Sequence, residues 1–252
     1  MFDGLQICIP SRSRATVQKT IYNLSKTLWP YITIVVPLSQ YNLYRNEVPM
    51  AIRIMPCEAE GIGPTRQFIL TLSEKGKVIM MDDDLTFYKR SEDGLKFYQI
   101  YGTATESLIN EMVDLLDEYP MIGLTDKYMS HLQPRITKEC SRFNDIHGYN
   151  RDLLPYPWPT FRVWAEEDHD FHLQLLTRGH KTAILTEYSK TNKAGAPGGC
   201  SDWRNPESMH KIQQQMLELW PGIVSLTPKP NYVTPNRVRY NWKEAMRRGG
   251  LA

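Results

Sequence analysis

The first 85 residues alternate short apolar runs with amphipathic segments. Apolar runs that are rich in β-branched residues and end at a proline or at charged residues are typical of strands. Apolar residues three or four positions apart, such as Val17, Ile21 and Leu24, are typical of one helix face. This pattern predicts strands at 6–10, 32–36, 51–55 and 77–81, and helices at 16–28 and 65–73.

The order of these elements indicates crossover units around a mostly parallel sheet. Ligands of such sheets bind beyond the carboxyl ends of the strands. Two polar segments, 11–14 and 82–84, directly follow predicted strands. We therefore expect both segments to face one crevice of an α/β domain.

The pattern is weaker in the second half of the chain. Polar, proline-rich segment 125–161 predicts irregular or β structure, and the glycines within 193–199 predict a flexible loop. Movement of segment 192–202 over a bound ligand would exclude water. The remaining predictions are helices at 106–119, 167–178 (with Gly179 as its C-cap) and 206–220, and strands at 121–124 and 181–185.

The composition is that of a folded globular protein, with 41% hydrophobic and 23% charged residues. No apolar run approaches the roughly 20 residues that span a membrane, and the apolar stretch 5–9 is too short for a signal peptide. Four scattered cysteines without a Cys-x-x-Cys pair indicate buried thiols in a reducing compartment. We therefore predict a cytoplasmic protein without a membrane partner; the sequence does not indicate an oligomeric state.

Three adjacent aspartates, Asp82, Asp83 and Asp84, follow the predicted strand 77–81. On an extended backbone the first and third side chains point to the same side. Two converging carboxylates repel each other unless a cation lies between them, and oxygen ligands suit Mg²⁺ or Mn²⁺. The alternative is a solvated acidic turn that ends the strand.

A second acidic run begins the predicted helix 167–178. It consists of Glu166, Glu167, Asp168 and Asp170. Acidic side chains at a helix N-terminus are favoured by ~0.3–1 kcal/mol each, which offers a purely structural explanation. Four acids within five residues exceed what capping requires, so the run is also a candidate for acid–base chemistry.

Together the two acidic motifs resemble the paired signature of GT-A glycosyltransferases. The second motif is Trp-Ala-Glu-Glu-Asp-His-Asp-Phe at 164–171. Segment 9–14 is similar to the nucleotide-binding strand and loop of that fold, and Thr-Arg-Gln at 65–67 resembles its Ala-Arg-Asn element. The sequence departs from many relatives at Ala165 and Glu166, where they have glycines. The resemblance implies a GT-A fold, which is Rossmann-like α/β with a mostly parallel central sheet flanked by helices.

The resemblance also implies roles for the motifs. Asp82 and Asp84 would hold Mn²⁺ or Mg²⁺ at the diphosphate of a UDP-sugar donor. Asp168 would act as the catalytic general base, and Glu167 would hold sugar or acceptor hydroxyls. The implied donor-binding residues are Pro10, Ser11, Arg12, Arg14, Arg66, Asp82 and Asp83. Each arginine could instead form a surface ion pair.

A late histidine often provides a third metal ligand in this fold. Here the resemblance implies His210, with His180 and Asp202 as alternatives. It further implies a single glycosyltransferase domain at 1–230, with a donor-binding half at about 1–125 and an acceptor half at about 126–230. The net charge is only +2, but residues 231–252 form a basic C-terminal extension with interleaved aromatic residues.

Several details are similar to a narrower group, the TET-associated glycosyltransferases of bacteriophages, which glycosylate hydroxymethylated pyrimidines in DNA. These details are the compact domain, Gly-Pro-Thr-Arg at 63–66, Glu-Glu-Asp-His-Asp-Phe at 166–171 and the glycine pair at 198–199. The resemblance implies transfer of glucose from UDP-glucose to a 5-hydroxymethylated pyrimidine in DNA, in the cytoplasm of the host cell. The implied acceptor-binding residues are Trp158, Trp164, Glu166, Arg237 and Arg239.

The acceptor role has a physical basis. A base flipped out of the duplex could be stacked by Trp158, Phe161 or Trp164, and the basic extension could contact phosphates. Three alternatives remain open: a GT-A enzyme with a glycan, lipid or protein acceptor, a nucleotidyltransferase, and a non-catalytic nucleic-acid-binding protein. The nucleotidyltransferase is disfavoured because segment 11–14 lacks a glycine-rich loop and a lysine, and the intact acidic motifs disfavour the non-catalytic protein.

Overall fold

The computed structural model describes residues 4–73, 76–130, 138–192, 205–229 and 234–251. Within these residues the helices are α1 (Lys19–Asn23), α2 (Tyr41–Glu47), α3 (Ile62–Leu72), α4 (Ala104–Leu115), α5 (Lys127–Ser130), α6 (Glu167–Leu176), α7 (Pro206–Leu219) and α8 (Trp242–Arg248). The strands are β1 (Leu5–Pro10), β2 (Ile32–Pro37), β3 (Arg53–Cys57), β4 (Lys77–Met81), β5 (Thr86–Arg90), β6 (Phe97–Ile100), β7 (Met121–Gly123), β8 (Lys138–Glu139), β9 (Ile146–Asn150), β10 (Ala183–Ile184), β11 (Tyr188–Thr191), β12 (Val224–Pro228) and β13 (Asn236–Tyr240).

Among the described residues, eight strands form the central sheet in the order β3-β2-β1-β4-β9-β7-β10-β8. Strands β3, β2, β1 and β4 are parallel to one another, β9 is antiparallel to both of its neighbours, and β7 and β10 are again parallel. This mostly parallel sheet with flanking helices confirms the predicted α/β class. The loops that follow β1 to β4 emerge at one edge of the sheet, where the site lies.

The central strands are continuous apolar runs because helices cover both faces of the sheet. In β1, Ile7 and Ile9 pack in one hydrophobic cluster, whereas Cys8 packs in the cluster on the opposite face. Cys8, Cys57 and Cys140 are buried free thiols. Cys200 lies outside the described residues.

The predicted helix 16–28 is much shorter in the structure, where only Lys19–Asn23 is α-helical. Leu24 leaves the helix with extended backbone angles, and Ser25 then caps a 3₁₀ helix, Lys26–Tyr31, by accepting a hydrogen bond from the Thr27 amide. The apolar spacing was correct for Ile21 and Leu24, which are buried, but Val17 is 60% exposed. Serine side chains that bond to nearby backbone compete with helix continuation in this way.

The described residues of segment 125–161 contribute one central strand, β9, whose five residues are all buried between β4 and β7. Its sequence, Ile-His-Gly-Tyr-Asn, has no apolar alternation, so its boundaries could not be predicted. A second sheet, β11-β5-β6, packs beside the site and was not predicted. The predicted loop 193–199 lies outside the described residues.

The C-terminal residues pack onto the main fold. Strand β13 pairs with β12 in an antiparallel hairpin, and the predicted boundary at 230 falls between these two strands. Ala245 of α8 is fully buried against α6 and α7. A Cβ on Gly249 would lie 1.9 Å from the Leu176 carbonyl oxygen, which shows how closely α8 approaches α6. No helix among the described residues is long and apolar enough to cross a membrane.

Candidate active site

A cleft of about 760 Å³ opens at the carboxyl ends of β1 to β4. The loops after these strands form one wall and floor, and the N-terminus of α6 forms the other wall. The sheet topology therefore brings together acidic motifs that are far apart in sequence. The predicted site residues that line the cleft are Pro10, Ser11, Arg12, Arg14, Arg66, Asp82, Asp83, Asp84, Glu166, Glu167 and Asp168.

Arg66 of α3 joins the two acidic motifs. Its Nη1 donates to Glu167 Oε1 at 2.7 Å, and its Nη2 donates to Asp82 Oδ1 at 3.1 Å. The guanidinium is only 4% exposed, so it balances two carboxylates away from bulk water. Removing one partner of such a buried group is costly, because the other charge is left without compensation.

Helix α3, which carries Arg66, begins at an unusual turn. Gly61 precedes the helix with a φ of 91°, and a Cβ there would lie 1.9 Å from Nε1 of Trp164. Pro64 occupies the first turn, where its missing N–H has no intrahelical partner to lose. The turn thus requires glycine both for its backbone angle and for the close approach of the indole.

The central aspartate of the triplet has a structural role. The Ser11 hydroxyl donates to Asp83 Oδ2, and Arg14 Nη1 donates to Asp83 Oδ1 at 2.7 Å. Ser11 also accepts from Gln18 at 2.7 Å. Since Asp83 and Ser11 are both buried and satisfied inside the protein, they hold the β1 loop against the end of β4. Their predicted contact with a donor stays a prediction.

Asp82 and Asp84 face the cleft more openly, with side chains 31% and 16% exposed against 5% for Asp83. Burial and the like charge of Asp145 raise the pKa of Asp82, although Arg66 opposes this shift. Burial and Asp83 raise the pKa of Asp84, although Arg14 opposes it. The cleft floor therefore carries more negative charge than its arginines offset.

This charge surplus fits a divalent cation held by Asp82 and Asp84, since Mg²⁺ and its analogues bind through one or two carboxylates together with phosphate oxygens. Within the described part of the chain, no three histidine, cysteine or acidic side chains form a cluster that could hold a metal ion. Diphosphate and water oxygens would add to the coordination of such an ion. His210 is exposed on α7 and does not line the cleft.

Of the other proposed ligands, only His180 lies in the described residues, and it does not supply a third position. His180 follows the last turn of α6, the end of the helix remote from Glu167. Ten helical residues span roughly 15 Å, which is too far for a shared ion. Asp202 lies outside the described residues.

The two arginines of the β1 loop differ. Arg14 pairs with Asp83 and, at 3.2 Å, with Asp84. Arg12 is exposed at the cleft and makes no ion pair with another residue that the structure describes. Arg12 is therefore the better placed of the two to receive a phosphate oxygen without breaking an existing pair.

The pKa values of Glu167 and Asp168 are shifted in opposite directions although the two residues are adjacent. Burial raises the pKa of Glu167, and Asp168 adds to the rise while Arg66 opposes it. Burial would also raise the pKa of Asp168, but His169, His147 and Arg66 reverse this and hold it below its ordinary value. Asp168 is therefore ionised at neutral pH and is in the state that accepts a proton.

Glu166, which precedes α6, has left-handed backbone angles, with a φ of 61°. Glycine adopts this conformation most easily, so the glycine that the GT-A resemblance implies at this position would be free of this backbone strain. In this protein, polar contacts of the Glu166 side chain offset the backbone strain. Its Oε2 lies 2.7 Å from His169 Nδ1 and accepts a hydrogen bond from the Tyr240 hydroxyl at 2.5 Å. Asp170 is structural, because Arg162 and Trp220 both donate to its buried carboxylate.

Most of the predicted acceptor-binding residues do not line the cleft. Trp158 packs against the core, with Arg151 over its ring at 4.5 Å, and Phe161 is buried in the same cluster. Trp164 is 38% exposed and lies against Gly61, which does line the cleft. Arg237 and Arg239 are exposed on the outer face of β13. Glu166 alone of the five lines the cleft.

Several site residues were not identified from the sequence. Lys190 of β11 is fully buried, donates to Asp126 at 2.7 Å and also donates to Asp145. The Asp145 carbonyl accepts from the Asp82 amide at 2.9 Å. His147 of β9 is buried with Nε2 3.6 Å from Asp168 Oδ2. These residues lie in polar segments without a motif, so only the tertiary structure could reveal them.

A model of a known protein family matches most of this chain. The model of the family described as TET-Associated Glycosyltransferase matches residues 5–199. No curated protein sequence matches the chain. Among solved structures, glucosyl-3-phosphoglycerate synthase from Mycobacterium tuberculosis in complex with Mg²⁺ and UDP has a TM-score of 0.55 at 10% identity, with 94% of this chain and 86% of that chain covered.

Two further structures are similar. S. aureus TarS 1–349 has a TM-score of 0.52 at 13% identity, and the mannosyltransferase PcManGT from Pyrobaculum calidifontis in complex with GDP-Man and Mn²⁺ has 0.50 at 13% identity. Each covers 85% of this chain, whereas this chain spans only about 64% of their length. At these identities the likeness concerns the fold.

The family match extends over most of the chain, and it includes both acidic motifs and the Arg66 bridge between them. The similar structures independently place the sheet and cleft in the same fold. The chain therefore belongs to the TET-associated glycosyltransferase family and has the GT-A fold.

Proposed function

We propose that this protein transfers glucose from UDP-glucose to the hydroxyl of a 5-hydroxymethylated pyrimidine in DNA. The observation that carries the proposal is the Arg66 bridge, which holds a metal-type aspartate, Asp82, and an acceptor-side acid, Glu167, in one cleft. A donor diphosphate and an acceptor hydroxyl would thus meet between the two motifs.

The donor half of the proposal rests on charge. Asp82 and Asp84 would hold Mn²⁺ or Mg²⁺, which stabilises the departing diphosphate. Arg12 would bind a phosphate oxygen, since arginine offers a bidentate match to phosphate. Support for a nucleotide-sugar donor also comes from the similar structures, which hold UDP with Mg²⁺ or GDP-Man with Mn²⁺.

The transfer step uses Asp168. The acceptor oxygen forms a bond to the anomeric carbon, the bond between that carbon and the diphosphate oxygen breaks, and UDP leaves. The acceptor proton passes to the Asp168 carboxylate, whose lowered pKa keeps it ionised. Glu167, fixed by Arg66, would orient hydroxyl groups beside the reacting atoms.

The DNA half of the proposal rests on the family and on one surface. Arg237 and Arg239 point to the same exposed side of β13, and their partners Thr227 and Ser225 on β12 add two hydroxyl groups to that side. This face suits phosphate oxygens of a DNA backbone. Trp164, partly exposed beside the cleft, would stack on a base that leaves the duplex.

The test is UDP release from UDP-glucose and Mn²⁺, with DNA containing 5-hydroxymethylcytosine, 5-hydroxymethyluracil or unmodified bases, followed by mass spectrometry of the nucleosides. The proposal requires a hexose on a hydroxymethylated base only. UDP release without any shifted nucleoside would reject the DNA acceptor and favour a glycan, lipid or protein. The absence of both donor binding and UDP release would reject the glycosyl transfer itself.

A charge-matched pair of variants tests the DNA surface. Arg237→Ala/Arg239→Ala should weaken DNA binding and reduce the steepness of its salt dependence by about two units of slope. The control variant Arg178→Ala/Lys181→Ala also removes two positive charges, but just after the C-terminal end of α6. It should leave the DNA affinity and the slope of its salt dependence unchanged. Equal effects of the two pairs would reject the assignment of β13 as the DNA-contacting strand.

A further inference from the structure

The C-terminal hairpin contacts the wall of the cleft through Tyr240, which bonds to the cleft-lining residue Glu166. Its hydroxyl donates to Glu166 Oε2 at 2.5 Å. Its ring packs on the His169 ring with centroids 4.7 Å apart and stacks on Trp242 at 5.1 Å. Tyr240 lies beyond residues 5–199, which the family model matches, so the family assigns it no role.

The same Glu166 oxygen connects Tyr240 to His169. His169 Nδ1 lies 2.7 Å from Glu166 Oε2, and Arg142 Nε donates to His169 Nε2 at 3.1 Å. Nδ1 therefore faces a carboxylate oxygen, and Nε2 faces the Arg142 guanidinium. Both ring nitrogens are thereby held by neighbouring side chains, and His169 is only 3% exposed.

His169 in turn holds Asp168. Its backbone N–H donates to Asp168 Oδ1 at 2.8 Å, and its Nδ1 lies 3.2 Å from the same oxygen. The other carboxylate oxygen, Oδ2, has His147 Nε2 at 3.6 Å. One connected set, Tyr240–Glu166–His169–Asp168, therefore runs from the C-terminal hairpin to the residue that would accept the proton.

This set also explains how Glu166 tolerates its left-handed backbone. The hydrogen bonds from Tyr240 and His169 tie the side chain on the buried side of the α6 N-terminus. Without the tyrosine hydroxyl, Glu166 would lose one of its two hydrogen-bond donors, and the carboxylate that faces His169 Nδ1 would be held less firmly. A misplacement of the order of 1 Å at a base can cost about 100-fold in rate.

We propose that Tyr240 and His169 are positioning residues: Tyr240 acts through Glu166 on His169, and His169 orients the Asp168 carboxylate toward the acceptor. The hairpin β12–β13 thus completes the acceptor half of the site although it lies outside the matched family region. The proposal rests on the proposed function in one respect, namely that Asp168 is the base.

The experiment measures two rates for each variant with UDP-glucose and Mn²⁺: transfer to 5-hydroxymethylcytosine DNA, and UDP release to water without any acceptor. In the second reaction, Asp168 would deprotonate water in place of the acceptor hydroxyl. Tyr240→Phe should lower kcat in both reactions roughly 10-fold, the effect of one lost hydrogen bond to a charged group. The KM for UDP-glucose should not change, because the donor site is untouched.

Two further variants separate positioning from loss of folding. Tyr119→Phe removes a comparable Tyr–Glu hydrogen bond, to Glu139 at 2.8 Å and away from the cleft, and should keep both rates. Glu166→Gln should lower kcat at least as much as Tyr240→Phe. The double variant Tyr240→Phe/Glu166→Gln should be no slower than Glu166→Gln, because both changes interrupt the same connection.

Each outcome is decisive. Loss of hydrolysis in Tyr240→Phe without any DNA transfer by the wild type would support the positioning role and reject only the DNA acceptor. Wild-type rates in Tyr240→Phe, or fully additive losses in the double variant, would overturn the positioning role while leaving the proposed function intact. A wild type that neither transfers nor hydrolyses the sugar would overturn both.

Discussion

The guanidinium of Arg66 lies 2.7 Å from the carboxylate of Glu167, although 101 residues separate them in the chain. The contact joins α3 to the first turn of α6 and so fixes the width of the cleft between the two acidic motifs. Arg66 reaches Asp82 with its second terminal nitrogen. The protein thus uses one buried cation to position both halves of its site.

Arg66→Met should therefore reduce stability by about 3–5 kcal/mol at neutral pH, because Glu167 and Asp82 would be left as uncompensated carboxylates. The loss should shrink as the pH falls. Burial has already raised the pKa of Glu167, and a raised carboxyl pKa destabilises the fold at high pH and is relieved on protonation. Urea denaturation at about pH 8 and about pH 5 measures both effects.

The control for this variant is Lys211→Ala, which removes an exposed i,i+4 pair with Glu207. Both side chains are about three-quarters exposed, so water screens the pair and its loss should change stability very little. A loss in Arg66→Met no larger than in the control would contradict the bridging role.

Asp83 and Asp84 should respond in opposite ways to substitution. Asp83→Asn should destabilise the protein by roughly 1–3 kcal/mol, because the buried carboxylate receives the Ser11 hydroxyl and the Arg14 guanidinium. Asp84→Asn should leave stability nearly unchanged or raise it slightly, since burial and Asp83 disfavour its charge. It should nevertheless abolish metal-dependent UDP release.

Thermal unfolding and an Mn²⁺ titration of UDP release, run on both variants, distinguish the two roles. Full metal-dependent activity in Asp84→Asn would remove the metal assignment. Equal stability of the two variants would remove the structural role given to Asp83.

Asp168→Asn should reduce kcat by roughly 10²–10⁴-fold, the usual contribution of a general base. Donor affinity should stay within about twofold. Asp168 lies on the α6 wall of the cleft and influences Asp82 through the charge of Arg66, which both carboxylates share. Isothermal titration with UDP and steady-state kinetics provide the two numbers. Retention of wild-type kcat would show that another group accepts the proton.

Gly61→Ala should disturb the cleft without touching a charged group. The new Cβ would lie 1.9 Å from the Trp164 indole nitrogen, and a φ of 91° is unfavourable for alanine. We expect a stability loss of about 1–3 kcal/mol and a change in the fluorescence of Trp164. The double variant Gly61→Ala/Trp164→Phe should recover part of the lost stability, because the smaller ring relieves the overlap. If no stability is recovered, the whole loss comes from the backbone conformation at residue 61.

The sequence predicted the parts of the site that have local signals. Strand β4 follows from an apolar run that ends at charge, and Asp82–Asp84 follow it directly. Helix α6 begins within a run of acids, so Glu167 and Asp168 could be named before their surroundings were known. The order of strands and helices predicted that the segments after β1 and β4 would meet, and these segments do line one cleft.

The tertiary structure decided what each acid does, because burial and partner charges come from residues distant in sequence. It pairs Asp83 with Ser11 and Arg14, shifts the pKa values of Glu167 and Asp168 in opposite directions, and brings the Tyr240 hydroxyl to Glu166. Lys190 lies in a polar segment without a motif, yet its side chain is fully buried between the carboxylates of Asp126 and Asp145. A local pattern fixes which residues share a strand or a helix, whereas electrostatic roles depend on which elements the whole fold packs together.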